Sequence, residues 1–246
     1  MDIHLPPDTA RAVCIYAHGG GWRRGSRRAG PGPVGPRSVR LFARLSAAGL
    51  VVASVDYRLS GEIRFPGPLD DVRAAVRWLG ADPESPAREL PLVLFGVSAG
   101  GHLAALCGLD PAVAARAVAA WYPVTDLAAM PADKVGSAGA RDVPDSREAL
   151  LLGAPAHEVP ELAREASPVS HVHPDAPPFF LLHGTDDKLV PPRQSERLQQ
   201  ALARVGVSCR YEPVPGYDHM FTGMPDDEVE TLVDRTAQFL TAVVNA

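Results

Sequence analysis

The chain has 246 residues, a length that permits one α/β domain or two small ones, and its 46% hydrophobic and 22% charged residues are ordinary values for a globular protein. Its formal net charge is −5, so its overall electrostatics do not favour a nucleic-acid partner. Apolar runs stay well below the ~18 residues that a membrane span requires, so no membrane partner is expected.

The cysteines and the first residues predict a cytoplasmic protein. Cys14, Cys107 and Cys209 lie in apolar stretches, are odd in number and lack the spacing of a metal site. We therefore expect free thiols in a reducing compartment. The opening stretch, "MDIHLPPDTA", has neither the basic region nor the apolar region of a signal peptide.

The first part of the chain predicts two strands and two helices. "AVCIYA" is short, apolar and partly β-branched, as expected of a buried strand, and a loop rich in Gly, Arg and Pro follows. "RSVRLFARLSAAG" has apolar residues at helical spacing and stops at Gly49. "LVVASVDY" predicts the second strand. "GPLDDVRAAVRWLG" predicts a helix with acidic residues in its first turn.

The rest of the chain continues the alternation of strands and helices. Four more strands are predicted, at "LPLVLFGV", "RAVAAWYPV", "PFFLLHG" and "SCRYEPVPG". Helices are predicted from about residue 99, over "PRQSERLQQALARVG" and over "DDEVETLVDRTAQFLTAVV". Between 125 and 172 the alternation breaks down into turns and one helix at about 145–153.

This order of elements predicts an α/β fold. Alternating strands and helices indicate a mostly parallel sheet of about six strands with helices on both faces. We expect residues 1–246 to form a single domain. The segment at about 125–172 is expected to be a small cap over the carboxyl ends of the strands, where open α/β sheets bind ligands.

The stretch "GVSAG", residues 96–100, predicts a nucleophilic serine. It fits the G-x-S-x-G pattern, in which a serine occupies a sharp turn between a strand and a helix. Glycines flank it because the backbone angles are unfavourable and larger neighbours would clash. A phosphate-binding loop is excluded, because His102 and Leu103 stand where Lys and Ser or Thr are required. A dinucleotide fingerprint is excluded, because Ser98 replaces its middle glycine.

Two later loops offer partners for Ser98. A serine needs a general base, usually a histidine that a carboxylate holds in place. "HGTDDKLVP" follows the fifth strand and offers Asp186 and Asp187, and "VPGYDHMF" follows the sixth and offers His219. The order Ser, Asp, His is that of α/β-hydrolases, and all three would emerge at one edge of the sheet. The residues alone leave the choice of aspartate open.

The fourth requirement is an oxyanion hole, in which backbone N–H groups point at the developing negative charge. "HGGGW", residues 18–22, follows the first strand, and its glycines let the backbone approach a substrate closely. The amide of Ala99 begins a helix, where N–H groups have no helical partner. These two segments are the predicted donors.

At these residues the chain resembles α/β-hydrolase-fold serine esterases. Within them it resembles the hormone-sensitive-lipase-like, feruloyl-esterase-like and kynurenine formamidase group, in stretches that run in the right order from about residue 12 to the end. The resemblance implies that Ser98 is the nucleophile and His219 the base. The family pattern H-G-x-x-D-x-x-V-P implies that Asp187 is the acid. It also implies an oxyanion hole formed by the amides of Gly20, Gly21 and Ala99.

The chain departs from this group in two places. Many relatives carry one or two more strands before the "HGGG" strand, so the N-terminal part of the sheet is expected to be shortened or missing. The loop after these glycines is rich in arginine, and Trp22, Arg23 and Arg24 are predicted to contact substrate. Asp56 and Arg58 of "DYR" are predicted to form a buried ion pair that braces the loop.

The function predicted from these residues is hydrolysis of a carboxylic ester through an acyl-serine intermediate. The same residues allow an amidase of the arylformamidase type, or a biosynthetic thioesterase or cyclase. A non-catalytic ligand receptor is the alternative from another class, although receptors of this kind usually lose the nucleophile or the base. No metal or cofactor is expected. The predicted partner is a small-molecule ester or amide, in a monomer or a homodimer.

Overall fold

The computed structural model describes residues 1–30, 36–134 and 143–244. Within these residues seven strands form one sheet in the order β1-β3-β2-β4-β5-β6-β7. Strands β2 to β7 run parallel, and β1 pairs antiparallel with β3 at the edge. The strands are β1 Asp2–His4, β2 Ala12–Ala17, β3 Leu50–Val55, β4 Leu92–Val97, β5 Ala117–Trp121, β6 Phe179–Gly184 and β7 Cys209–Val214.

Helices cover both faces of the sheet, as the sequence predicts. In the described ranges they are α1 Pro36–Ala47, α2 Gly67–Ala81, α3 Ala99–Gly108, α4 Met130–Asp133, α5 Arg147–Leu152, α6 Pro160–Glu165, α7 Arg193–Arg204 and α8 Asp226–Val244. Short 3-10 helices occupy Pro168–His171 and His219–Phe221. Across residues 1–30, 36–134 and 143–244, no helix is both long and apolar enough to cross a membrane.

The mostly parallel sheet of about six strands is confirmed, and the seventh strand, β1, is one that the sequence did not predict. Asp2–His4 pairs with Val52–Ser54, and the next residues are Leu5 and two prolines. Three residues are too few to show the alternation that identifies a strand. Pairing with β3 therefore defines β1, and the sequence of β1 alone does not.

The core lies in two layers, one on each side of the sheet. Successive residues of β2 alternate between them, so that Cys14 packs in the layer that contains Leu45 of α1 and Leu240 of α8. Val13 packs in the opposite layer, which contains Leu103 of α3. Burying one such leucine contributes about 2 kcal/mol. These layers make the sheet a rigid base for the loops at the carboxyl ends of its strands.

The segment between β5 and β6 holds the short helices α4, α5 and α6. Helix α5 matches the helix predicted at about 145–153, and it begins because Ser146 Oγ accepts a hydrogen bond from the Ala149 amide at 3.0 Å. Part of the predicted cap, residues 135–142, lies outside the described residues. The assignment of one domain with a cap at about 125–172 stays a prediction.

Candidate active site

Ser98 stands at the sharp turn between β4 and α3. Its φ of 54° and ψ of −120° are unusual for a residue with a side chain, and such strain is held only where the surroundings fix it. A Cβ on Gly96 would collide with the backbone of Gly100, and a Cβ on Gly100 would collide with the carbonyl oxygen of Ala17. The two glycines of the motif are therefore required by the contact of β4, α3 and β2.

The structure brings Ser98, His219 and Asp187 into one hydrogen-bonded chain. Ser98 Oγ lies 3.0 Å from His219 Nε2, and His219 Nδ1 lies 2.6 Å from Asp187 Oδ2. With Nδ1–H donating to the carboxylate, Nε2 carries the lone pair that can accept the serine proton. His219 is almost buried, whereas Ser98 is partly open to the cavity above it.

The Asp187 carboxylate is buried, and both of its oxygens have hydrogen-bond donors within reach. Its Oδ1 accepts hydrogen bonds from the amides of Leu189 at 2.9 Å and Val190 at 2.8 Å. Its Oδ2 also lies 3.2 Å from His183 Nε2. Burial raises the pKa of this carboxyl, but the hydrogen bonds from His183 and His219 outweigh burial and lower the pKa to about 2. Asp187 is therefore ionised throughout the neutral range.

The two neighbouring aspartates have other positions. Asp186 is exposed, and its Oδ1 accepts a hydrogen bond from Thr185 Oγ1 at 3.0 Å. Asp218 Oδ1 accepts from the amides of Lys188 at 3.0 Å and His219 at 2.7 Å. Asp218 thus fixes the loop that carries the histidine, and neither carboxylate is the one bonded to the imidazole.

The glycine loop after β2 passes directly over Ser98. A Cβ on Gly19 would lie 3.4 Å from Ser98 Cβ. Gly20 and Gly21 have φ values of 125° and 61°, which glycine adopts without strain. In the described part of the chain, no hydrogen-bond partner is found for the amides of Gly20, Gly21 and Ala99. Gly20, Gly21 and Ala99 also line the cavity beside Ser98.

Aromatic and imidazole rings hold this loop from below. The His18 ring stacks on the Tyr57 ring at 4.3 Å, and the Tyr57 hydroxyl donates to the His18 carbonyl at 2.8 Å. Trp22 is buried, and its indole N–H donates to Nδ1 of His102 at 3.2 Å. Trp22 lines the cavity, but at 1% exposure its ring presents almost no surface there, and the predicted contact of Trp22 with substrate stays a prediction.

The predicted Asp56–Arg58 ion pair was wrong. The Asp56 carboxylate instead accepts from the Arg27 amide at 2.7 Å and pairs with the Arg27 guanidinium. Arg58 pairs with Asp71 at 2.8 Å, and neither Asp56 nor Arg58 has a buried side chain. Arg27 also pairs with Asp2 at the sheet edge. It therefore braces the loop from outside, where a carboxylate on β1 reaches it.

The cavity above Ser98 has an inner and an outer part. The inner part is about 100 Å³ and includes the glycine loop, Trp22 and Arg24 in its walls. The outer groove is about 640 Å³ and includes Arg23. Both parts share Arg147 and Glu148, two residues of α5 that sequence reasoning missed, because no motif marks them. Their place depends on how the segment after β5 folds back.

The polar groups of this cavity do not form a metal site. Nowhere in residues 1–30, 36–134 and 143–244 do three His, Cys, Asp or Glu side chains converge in a way that could hold a metal ion. The inner part of the cavity is lined instead by the backbone of the glycine loop and by the side chains of Arg24 and Arg147.

Comparison with known sequences identifies the relatives of this chain. The sequence profile of the BD-FAE family matches residues 1–202. Esterase LipQ of Mycobacterium tuberculosis (strain ATCC 25618 / H37Rv) is 31% identical over 249 residues, which cover 90% of this chain and 54% of LipQ. Esterase LipC of the same organism is 32% identical over 230 residues, which cover 87% of this chain and 54% of LipC. The chain thus spans about half the length of these relatives.

Comparison with solved structures identifies the fold. A truncated form of carbohydrate esterase from gut microbiota matches with a TM-score of 0.82 at 24% identity, over 99% of this chain and 90% of that chain. Propionate-bound Est2 of Thermogutta terrifontis matches with a TM-score of 0.74 at 24% identity, over 98% of this chain and 88% of that chain. Together with the observed sheet order, these matches identify the α/β-hydrolase fold.

Proposed function

Because this chain belongs to the BD-FAE family, we propose that it hydrolyses carboxylic esters through an acyl-serine intermediate on Ser98. The observation that carries the proposal is the hydrogen-bonded chain from Ser98 through His219 to Asp187. The esterase names of LipQ and LipC support the same reaction. They do not favour the amidase and thioesterase alternatives.

In the first step, Ser98 Oγ attacks the ester carbonyl carbon while His219 Nε2 accepts the hydroxyl proton. Asp187 keeps Nδ1 protonated and stabilises the imidazolium that forms. The carbonyl oxygen becomes an oxyanion and accepts hydrogen bonds from the amides of Gly20, Gly21 and Ala99. Such preorganised donors are typically the largest contribution to catalysis in acyl transfer.

The tetrahedral intermediate collapses when the alcohol oxygen takes the proton from His219 and leaves. A water molecule then attacks the acyl carbon, and His219 accepts its proton. When the second intermediate collapses, His219 returns that proton to Ser98 Oγ and the carboxylic acid is released. One ester and one water are consumed, and no electron acceptor or metal is required.

The size of the cavity indicates how the substrate is divided. The inner part, about 100 Å³, offers room for a short acyl group only. The outer groove of about 640 Å³ can take a larger group. We therefore propose small-molecule esters of short carboxylic acids as substrates.

The decisive experiment compares the wild type with Ser98→Ala on p-nitrophenyl esters of rising acyl length. We expect turnover to be greatest for the shortest acyl groups, and to fall by at least 10³-fold in the variant. The variant should retain its thermal unfolding midpoint, because Ser98 is a half-buried residue and the change removes one hydroxyl group. A serine-directed phosphonate should label Ser98 in the wild type alone.

The result that would contradict the proposal is a Ser98→Ala variant that keeps a tenth of wild-type kcat. N-formylkynurenine, included in the same screen, reports on the amidase alternative. EDTA should leave the wild-type rate unchanged, since the mechanism uses no metal. The cytoplasmic location and the oligomeric state stay predictions, which cell fractionation and sedimentation would test.

A further inference from the structure

Three arginine side chains border the cavity above Ser98. Arg24 lines its inner part, Arg23 lines the outer groove, and Arg147 lines both. None of the three pairs with a carboxylate in the part of the chain that the structure describes. Arg27, from the same loop, pairs with Asp56 and so cannot serve this cavity.

Arg147 is the best placed of the three. It is the first residue of α5, and its aliphatic stem lies on Gly21, where any Cβ would collide with Arg147 Cδ. The side chain is half-buried, so the glycine loop restricts its movement. A guanidinium held in this way loses less conformational entropy when it binds an anion.

The outer groove is the place left for the alcohol part of the substrate when the smaller inner part takes the acyl group, as proposed above. His219, which gives its proton to the departing alcohol, lines both parts, whereas Ser98 lines the inner part and not the outer groove. The groove is also lined by Arg23, Leu189, Met220 and Thr222. A group that extends from the alcohol oxygen past His219 therefore reaches Arg147 and Arg23.

The acidic side chains that line the groove form no ion pair with Arg147 in the described residues. Glu148 pairs with Lys134 at 3.0 Å, and both side chains are nearly buried. Asp218 accepts two backbone amides. Asp145 is exposed, and no ion pair joins it to Arg147 within the described residues. Lys188, a further lining residue, adds a positive charge.

We propose that Arg147, with Arg23, binds an anionic group on the alcohol part of the substrate. The anion is a carboxylate or a phosphate, because a guanidinium donates two parallel hydrogen bonds to either. This inference rests on the proposed esterase function and names the substrate class of that same site: an ester of a short acid with an anionic alcohol. Binding energy at this remote group would be used to position the scissile bond.

The test uses two acetyl esters of similar size, the anionic 4-acetoxybenzoate and the neutral 4-acetoxybenzamide, and compares their ratio between variants, so that the intrinsic reactivity of each ester cancels. Arg147→Met removes the charge and keeps the stem on Gly21. At low ionic strength we expect the ratio of kcat/KM, anionic over neutral ester, to fall about tenfold in this variant. In Arg147→Lys the same ratio should fall less, because lysine keeps the charge but cannot donate two parallel hydrogen bonds.

Arg116→Met is the matched control. Arg116 is exposed and directly precedes β5, at the amino edge of the sheet, opposite the cavity. The Arg116→Met variant loses the same charge as Arg147→Met and should keep the ratio within about twofold of the wild type. A third ester, 4-acetoxyphenyl phosphate, distinguishes the anions: a larger fall for this ester in Arg147→Met identifies phosphate, and a larger fall for the benzoate identifies carboxylate.

The proposal is overturned if Arg147→Met, folded with a wild-type unfolding midpoint, keeps the wild-type ratio. It is also overturned if the ratio changes only for an anion on the acyl side, measured with phenyl hydrogen succinate against phenyl succinamate. In both of these outcomes the esterase function still holds, provided that the wild type hydrolyses the neutral ester and Ser98→Ala does not. If the wild type hydrolyses no ester at all, both proposals fall.

Discussion

At the scale of single residues, the two adjacent aspartates of "HGTDDKLVP" have opposite surroundings. Asp187 is buried and accepts hydrogen bonds from His219 and from two amides, whereas Asp186 is exposed. The difference follows from the turn after β6, which directs one side chain inward and the other to solvent. Two adjacent positions in the sequence therefore place one carboxylate against the imidazole and the other in solvent.

We predict that Asp187→Asn lowers kcat by about 10³–10⁴-fold, because a neutral amide cannot stabilise the imidazolium and favours the wrong tautomer of His219. Asp186→Asn, the matched control, should change kcat by less than about twofold. Steady-state kinetics on one short-chain ester measure both. Equal losses in the two variants would show that Asp187 is not the acid of the triad.

At the scale of elements, the turn between β4 and α3 depends on the absence of side chains. Gly100 contacts the backbone of β2, and Gly80, in α2, has open space around the position of a Cβ. A Gly→Ala change would therefore produce a steric clash at Gly100 and none at Gly80. Close packing of the turn, with no room for one methyl group, is what holds Ser98 in its strained conformation.

We predict that Gly100→Ala lowers the free energy of unfolding by about 3 kcal/mol or prevents folding, because the backbones of β2 and α3 must separate. Gly80→Ala should instead raise it by about 0.5–1 kcal/mol, since alanine favours a helix. Urea unfolding of both variants measures the difference. A Gly100→Ala variant as stable as the wild type would mean that the turn can relax without cost.

At the scale of the whole molecule, His102 joins three parts of the chain. It lies in α3, accepts from the Trp22 indole N–H through Nδ1, and donates from Nε2 to the Ala166 carbonyl at 2.7 Å. Complete burial lowers the pKa of His102 to about 4. If Nδ1 carried a proton, it could not accept the hydrogen bond from the indole N–H. The neutral imidazole is therefore the form that connects the glycine loop to the segment between β5 and β6.

We predict that acid weakens the folded protein through this residue. Between about pH 6.5 and 4 the unfolded chain binds a proton at His102 and the folded chain does not. The free energy of unfolding therefore falls by about 1.4 kcal/mol for each pH unit from this group. Urea unfolding at pH 7 and pH 5 should show a smaller fall in His102→Gln than in the wild type.

The control for this prediction is His157→Gln, since the His157 side chain is 65% exposed. Its pH dependence should match that of the wild type. If His102→Gln shows the same fall as the wild type between pH 7 and 5, other groups account for the acid sensitivity.

Short-range patterns predicted the strands β2 to β7, the longer helices on both faces and the chain order of Ser98, an aspartate and His219, because apolar periodicity, glycine positions and loop composition reflect local geometry. The choice of Asp187 over Asp186 came from the resemblance to serine esterases. The strand β1 escaped, because three residues carry no periodicity and only pairing with β3 defines them.

The pairing of charged groups depends on tertiary contacts. It pairs Asp56 with Arg27 and Arg58 with Asp71, where adjacency in "DYR" predicted a pair between Asp56 and Arg58. It also brings Arg147, about 125 residues after Gly21, onto the glycine loop. Long side chains reach partners across the fold, and the free energy of an ion pair depends on distance and burial. Sequence neighbours fix neither quantity.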